Sequence, residues 1–126
     1  MRHIRAKQYE NPPAFITAQI APIDPMPEDS LICDYGVDTL SEGASSDLHY
    51  HDCDEWWIIV NGRALVTGAI DPFEAGPGDM VFTPMGETHR IEALSLVTIA
   101  WFEGPLRGRK RKGHLHLDTE EIEKLY

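Results

Sequence analysis

Cysteine is scarce in this chain, and so is positive charge through its middle. Its 126 residues include two cysteines, Cys33 and Cys53, too few for a disulfide framework; in a reducing compartment both are expected as thiols. Long hydrophobic runs are missing too. No stretch of about 18 apolar residues occurs, which excludes a transmembrane helix. The basic start, Met1-Arg2-His3-Ile4-Arg5-Ala6-Lys7, leads into no apolar segment, so it does not read as a secretory signal and the expected compartment is the cytoplasm. Between residues 8 and 106 only Arg63 and Arg90 are basic, against seventeen acids. A body of that charge repels a phosphate backbone, so neither nucleic acid nor a membrane is expected as a partner.

The positive charge that exists is pushed to the ends: Arg2, Arg5 and Lys7, then Arg107, Arg109, Lys110, Arg111 and Lys112. The run over 107–112 reads as a solvated basic loop that pairs with acidic neighbours, with an anion-binding flap as the sharper alternative. A hydrophobic content of 42% is ordinary for a globular chain, and the length suits one domain with one core.

Helical patterning is confined to the tail. Over 118–126, Asp118 can cap, Glu121 occupies the capping-box position, and Ile122 and Leu125 give an apolar edge. Elsewhere short β-like runs alternate with turn residues. Leu31 to Tyr35 stops at Gly36; Trp56 to Val60 stops at Asn61-Gly62, a hairpin signal. Ala64 to Thr67, Met80 to Thr83, His89 to Ala93 and Ser95 to Phe102 follow, separated by Gly68, Gly76-Pro77-Gly78-Asp79 and Pro84-Met85-Gly86. Short strands at even spacing predict an all-β sandwich or barrel. The Pro-rich and acidic segment 22–29 reads as a surface connection. The expected organisation is an N-terminal arm over 1–30, a barrel over 31–117 and a short C-terminal helix over 118–126.

The sharpest chemical signal lies between Gly43 and Gly62. His49 and His51 are two residues apart, a spacing that in a strand puts both imidazoles on one face. If Glu55 opens the returning strand, Glu55, Trp57 and Ile59 share a face, and Trp56 and Ile58 take the other. His89 follows the turn at 84–88. Imidazole nitrogens with a carboxylate suit borderline divalent ions such as Fe, Mn, Ni, Zn or Co. Four protein ligands on an octahedral ion leave two positions open, which is the arrangement of a reactive centre. Cys53 sits between His51 and Glu55, but a complete ligand set exists without it, and it reads as a free thiol near the site.

These residues resemble the cupin superfamily. Gly43, His49, His51, Glu55 and Gly62 fit its first motif, G-x5-HxH-x3/4-E-x6-G, at every fixed position; Gly78, Pro84, Gly86 and His89 fit the second, G-x5-PxG-x2-H-x3-N, with Ala93 in place of the final asparagine. The resemblance implies a double-stranded β-helix, the jelly-roll or cupin barrel. It also implies His49, His51, Glu55 and His89 as ligands of one divalent transition metal (Fe, Mn, Ni or Zn), and a homodimer. Around such a centre Trp57 and Ile59 are candidate substrate contacts. Many cupin lyases carry a tyrosine after the motif glutamate; Trp56 stands there and cannot act as a base. Tyr50 should point away from the metal, and Tyr35 is an acid–base candidate only by lying in a strand. The second H-x-H pair, His114 and His116, reads as surface histidines on a closing strand.

The leading functional expectation is a small metal-dependent enzyme acting on a small polar or anionic metabolite, either a dioxygenase or a Lewis-acid isomerase, decarboxylase or lyase. The alternative is a non-catalytic cupin that binds a small molecule as sensor or carrier; a storage barrel is the third reading.

Overall fold

In the computed structural model, which describes residues 1–116, turn residues cut the chain into nine short strands. They are β1 (Ala6–Gln8), β2 (Ala18–Pro22), β3 (Asp34–Leu40), β4 (Glu55–Asn61), β5 (Ala64–Thr67), β6 (Phe73–Ala75), β7 (Met80–Thr83), β8 (Arg90–Ala93) and β9 (Val97–Glu103). They form two antiparallel sheets, one of six strands in the order β1-β2-β3-β9-β4-β7 and one of three in the order β6-β5-β8. The chain is therefore an all-β double sheet, with no helix among the described residues. The helix expected over 118–126 lies outside them. Strands β1 and β2, from the expected arm, extend the edge of the larger sheet.

Strand alternation places the core. In β4 the inward residues are Glu55, Trp57 and Ile59, whereas Trp56 and Ile58 face out, as period-two patterning requires. Leu40, Ile59 and Val97 from the larger sheet are almost fully buried and pack with Ala64, Val66, Ile91 and Ala93 from the smaller one. Each of those large side chains contributes about 1.5–3 kcal/mol by leaving water. Asn61-Gly62 makes the expected tight connection between β4 and β5. Gly62 has φ +85°, and a Cβ there would lie 2.2 Å from the Leu96 carbonyl oxygen, so only glycine fits.

Gly36 differs from expectation. It was expected to end a strand but lies inside β3, because the Trp101 indole fills the space of its missing side chain: a Cβ would meet Trp101 Cζ2 at 2.5 Å. A glycine in a strand interior here marks close approach rather than a turn.

The register writes two contrasting faces on the larger sheet. Inward, Asp34, Glu103, Glu55 and Thr83 form one cross-strand row, and Gly36, Trp101, Trp57 and Val81 the next. Outward, Tyr35, Phe102, Trp56 and Phe82 form a row, flanked by Val37, Ala100, Ile58 and Met80. That outer face is apolar across four strands, and Phe82 and Met80 are more than half exposed.

Candidate functional site

His49 and His89 meet first as backbone. Each N–H donates to the other's carbonyl, at 3.0 and 2.8 Å, in an isolated antiparallel bridge between the approach to β4 and the start of β8. His51 follows two residues later and Glu55 opens β4. The four residues are 3–8% exposed, and the structure brings together all four singled out from the sequence. The ring centroids lie 4.3 Å (His49–His89), 5.0 Å (His49–His51) and 5.3 Å (His51–His89) apart. His51 Nε2 is 3.4 Å and His89 Nε2 3.6 Å from the Glu55 carboxylate.

The imidazole tautomers are dictated by the backbone. His49 Nδ1 donates to the Asp47 carbonyl at 2.8 Å, His51 Nδ1 to Gly113 at 3.0 Å and His89 Nδ1 to Glu87 at 3.0 Å. A carbonyl can only accept, so each Nδ1 carries the proton, and in the neutral rings of His49 and His51 the lone pair is left on Nε2. Burial, then the neighbouring His114, pushes His49 down to about 3, and burial lowers His51 as well; both are neutral at pH 7. His89 goes the other way: burial is outweighed by its hydrogen bond to Glu55. Burial also works to raise the Glu55 carboxyl, but His89 and His51 hold it below the ordinary range. His51 Nε2 is buried without a hydrogen-bond partner among the described residues, a costly state for a nitrogen lone pair unless something else satisfies it. The side chains fall into two overlapping groups that could bind a metal, His51 with Glu55 and His89, and His49 with His51 and His114; within each the ligand atoms lie within 4.8 Å of one another.

His114 does more than the sequence suggested. It is exposed, yet its ring stacks on His49 at 3.7 Å and 11°, and it lines the same cavity. Burial, then His51, pushes it down to about 4. Both members of the pair reach Asp47, His116 through Nε2 and His114 through Nδ1 at 3.9 Å. The cause lies in the basic run, which pairs with acidic neighbours. Arg107 Nη2 binds Asp54 at 2.7 Å, and Arg111 binds Asp52 through its backbone N–H and Nε, with Nη2 on the Tyr50 hydroxyl. Asp52 and Asp54, interleaved with His51 and Glu55 in sequence, therefore anchor the segment that carries Gly113 and His114 across the histidines.

The cavity measures about 830 Å³. Trp57 lies on its wall; Ile59 does not, being fully buried in the core. Ile59 shares Trp57's face but lies one step deeper, where the two sheets close on each other. Tyr35 faces outward and its hydroxyl reaches the Ile4 carbonyl; Tyr50 is buried under Arg111. Burial, then Glu103, pushes the Cys53 thiol up to about 12, and Cys53 belongs to neither group of candidate ligand atoms among the described residues. Three cavity carboxyls, Asp34, Asp38 and Glu103, went unnoticed in the sequence. Glu103, beside Glu55 on the neighbouring strand, is pushed up to about 7 by burial, Glu55 and Asp34. Asp38 is raised by burial while accepting hydrogen bonds from Trp101 and Gln19. Period-two counting from Trp101 would have turned Glu103 inward, but its place beside Glu55 depends on long-range strand pairing.

Fold and cluster together define a two-sheet β-barrel with a histidine-rich centre in its cavity. Residues 36–102, more than half the chain, match the Cupin domain family Cupin_2, and the chain belongs to the cupin family. It is 49% identical over 70 residues to the uncharacterized protein y4oW of Sinorhizobium fredii, covering 55% of this chain and 32% of that one. The chain thus spans about a third of that relative. Among solved structures it resembles the SPY1581 protein of unknown function from Streptococcus pyogenes (TM-score 0.65, 14% identity, 86% of this chain and 98% of that one). It also resembles the DMSP lyase DddQ of Ruegeria pomeroyi (TM-score 0.54, 26% identity, 63% of this chain and 42% of that one). Among the described residues no helix is long and apolar enough to cross a membrane.

Proposed function

We propose that this chain is a metal-dependent cupin enzyme acting on a small polar metabolite, with His49, His51, Glu55 and His89 holding one divalent transition-metal ion (Fe, Mn, Ni or Zn). The observation that carries the reading is the set of three Nδ1–carbonyl hydrogen bonds. They hold each Nδ1 as a donor, the arrangement that turns Nε2 to a metal, and His51 Nε2 has no hydrogen-bond partner among the described residues. When bound, the ion supplies Lewis acidity for isomerisation, decarboxylation or elimination, or, if it is iron, redox chemistry with dioxygen.

The chain's own part is to orient and to enclose. Trp57 and Trp101 form an apolar wall, and the strap held by Arg107 and Arg111 keeps Gly113 on His51. The likeness to a DMSP lyase supports an elimination. Trp56, on the outer face, takes no part in it. Of the two substrate options, polar is favoured over anionic, because among the described residues the cavity wall offers one Lys or Arg side chain, the exposed Lys112. A second copy of the chain is the proposed cover for the outer apolar face, giving a homodimer, and the free thiols Cys33 and Cys53 suit a cytoplasmic setting.

The test is reconstitution of the metal-free protein with each ion in turn, followed by a panel of small polar metabolites with and without oxygen. Turnover with one ion, abolished in Glu55→Ala, is expected. Saturable binding without turnover under every ion would replace the enzyme with a sensor or carrier.

A further inference from the structure

The inner face of the larger sheet carries more negative charge than a four-ligand centre accounts for. Glu55 belongs to that centre, but Glu103 and Asp34 continue its row across β9 and β3, with neighbouring backbones about 5 Å apart. Asp38 lies four residues beyond Asp34 on the same face of β3, roughly 13 Å along the strand. Midway between them is Gly36, and over Gly36 lies the Trp101 indole, so close that a Cβ would stand 2.5–2.8 Å from three of its ring atoms.

Trp101 Nε1 donates to Asp38 Oδ1 at 3.0 Å, and Gln19 Nε2 donates to the same oxygen at 2.8 Å. Among the described residues no hydrogen bond reaches Asp38 Oδ2, and no basic side chain pairs with Asp34, Asp38 or Glu103. All three line the cavity that also receives the unpartnered, 5%-exposed His51. An aromatic ring flanked by unpaired carboxylates is the reverse of an anion site. Removing carboxylates from water without a counter-charge is costly, and a cation over an indole gains from the ring quadrupole as well.

The geometry points to a substrate that bears an ammonium-type cation, seated against Trp101 between Asp34, Asp38 and Glu103. This rests on reading the cavity as a substrate site beside the metal centre. The cationic group stands at the carboxylate-rich end, and the rest of the molecule extends towards His49, His51 and His89. The preference is a specificity device: it attracts a cation, repels an anion of the same shape, and leaves neutral molecules with the aromatic wall alone.

Three probes of one shape and different charge test it: choline, 3,3-dimethylbutan-1-ol and 3,3-dimethylbutanoate. Each is titrated by calorimetry at about pH 8, well above ordinary carboxyl ionisation, into wild type, Asp38→Asn and Glu103→Gln, both metal-free and metal-loaded, with near-ultraviolet circular dichroism confirming the fold. Choline is expected to bind at least about tenfold more tightly than the neutral alcohol, with the carboxylate weakest; each substitution is expected to reduce that advantage several-fold. Equal binding of choline and the alcohol, or tighter binding of the carboxylate, would overturn the inference. Choline affinity unchanged in both variants would do the same. Preference for choline in a protein that takes up no metal supports this inference and sinks the metal-centre reading. Metal uptake without the preference does the opposite.

Discussion

The contact between Gly36 and Trp101 can be broken with a single methyl group. In Gly36→Ala the new Cβ would stand 2.5 Å from Trp101 Cζ2, 2.7 Å from Cε2 and 2.8 Å from Nε1. Carbon contacts settle at about 3.5–4.0 Å, so the indole must retreat by roughly 1 Å. Strained insertion of this kind costs about 1–3 kcal/mol. The retreat also draws Nε1 from Asp38, now 3.0 Å away, and a hydrogen bond to a charged group is worth about 1.5–3 kcal/mol. The two costs overlap, giving an expected loss of about 2–5 kcal/mol, or a fall of roughly 1–2 M in the urea midpoint for a domain of this size. Gly104→Ala serves as the control, since its Cβ would meet nothing closer than 3.6 Å. The decisive comparison is Gly36→Ala in a Trp101→Leu background, where most of the cost should vanish. A loss below about 0.5 kcal/mol, or a loss undiminished without the indole, would refute the account of why glycine lies within β3.

Three further outcomes follow from the site and its surroundings. The Glu103 carboxyl is raised to about 7 in the folded chain, so its proton favours the folded state at low pH and that contribution is lost as pH rises through about 7. In metal-free protein, Glu103→Gln should gain stability over wild type between pH 4.5 and about 7 by roughly 2–3 kcal/mol, measured by urea unfolding, and a flat difference would contradict the pairing with Glu55 and Asp34. Cys33 is exposed and Cys53 is buried with its thiol raised to about 12; an aromatic disulfide reagent should titrate one thiol quickly in the folded protein and the second only on unfolding, and two fast thiols would contradict the burial. Phe82→Lys, on the outer row beside Trp56, should convert a dimer to monomer in light scattering while leaving the circular dichroism spectrum intact; a monomeric wild type would remove the proposed partner.

How much was legible in the sequence follows from the range of the interactions. Local punctuation placed the strands well: Asn61-Gly62 and Gly78-Asp79 turn where glycine must adopt positive φ, and Ala64–Thr67 and Met80–Thr83 are strands as their patterns predict. His49, His51 and Glu55 declared themselves because their spacing alone puts them on facing positions, and His89 because its turn resembles a known motif. What could not be read required pairings over long separations. Glu103 enters the site only through the β4–β9 register, and Asp38 only because Trp101 and Gln19 turn to it from other strands. The stacking of His114 on His49 was missed because its approach depends on Arg107 and Arg111 finding Asp54 and Asp52, a pairing whose existence the charge pattern predicted but whose direction it did not. Ile59 was assigned to the pocket by face alone; depth along a strand needs the second sheet. The short strands β1 and β6 carried no periodic signal in three residues each.

The central claim, that the buried His/Glu cluster is a metal centre, is tested most directly by elemental mass spectrometry of untagged protein, purified from medium enriched in no single ion, beside a His49→Ala, His89→Ala double variant. The account predicts near-stoichiometric iron, manganese, nickel or zinc in wild type and its loss in a variant that remains folded. A wild type that stays empty after exposure to each ion, or a variant that retains as much metal, would contradict it.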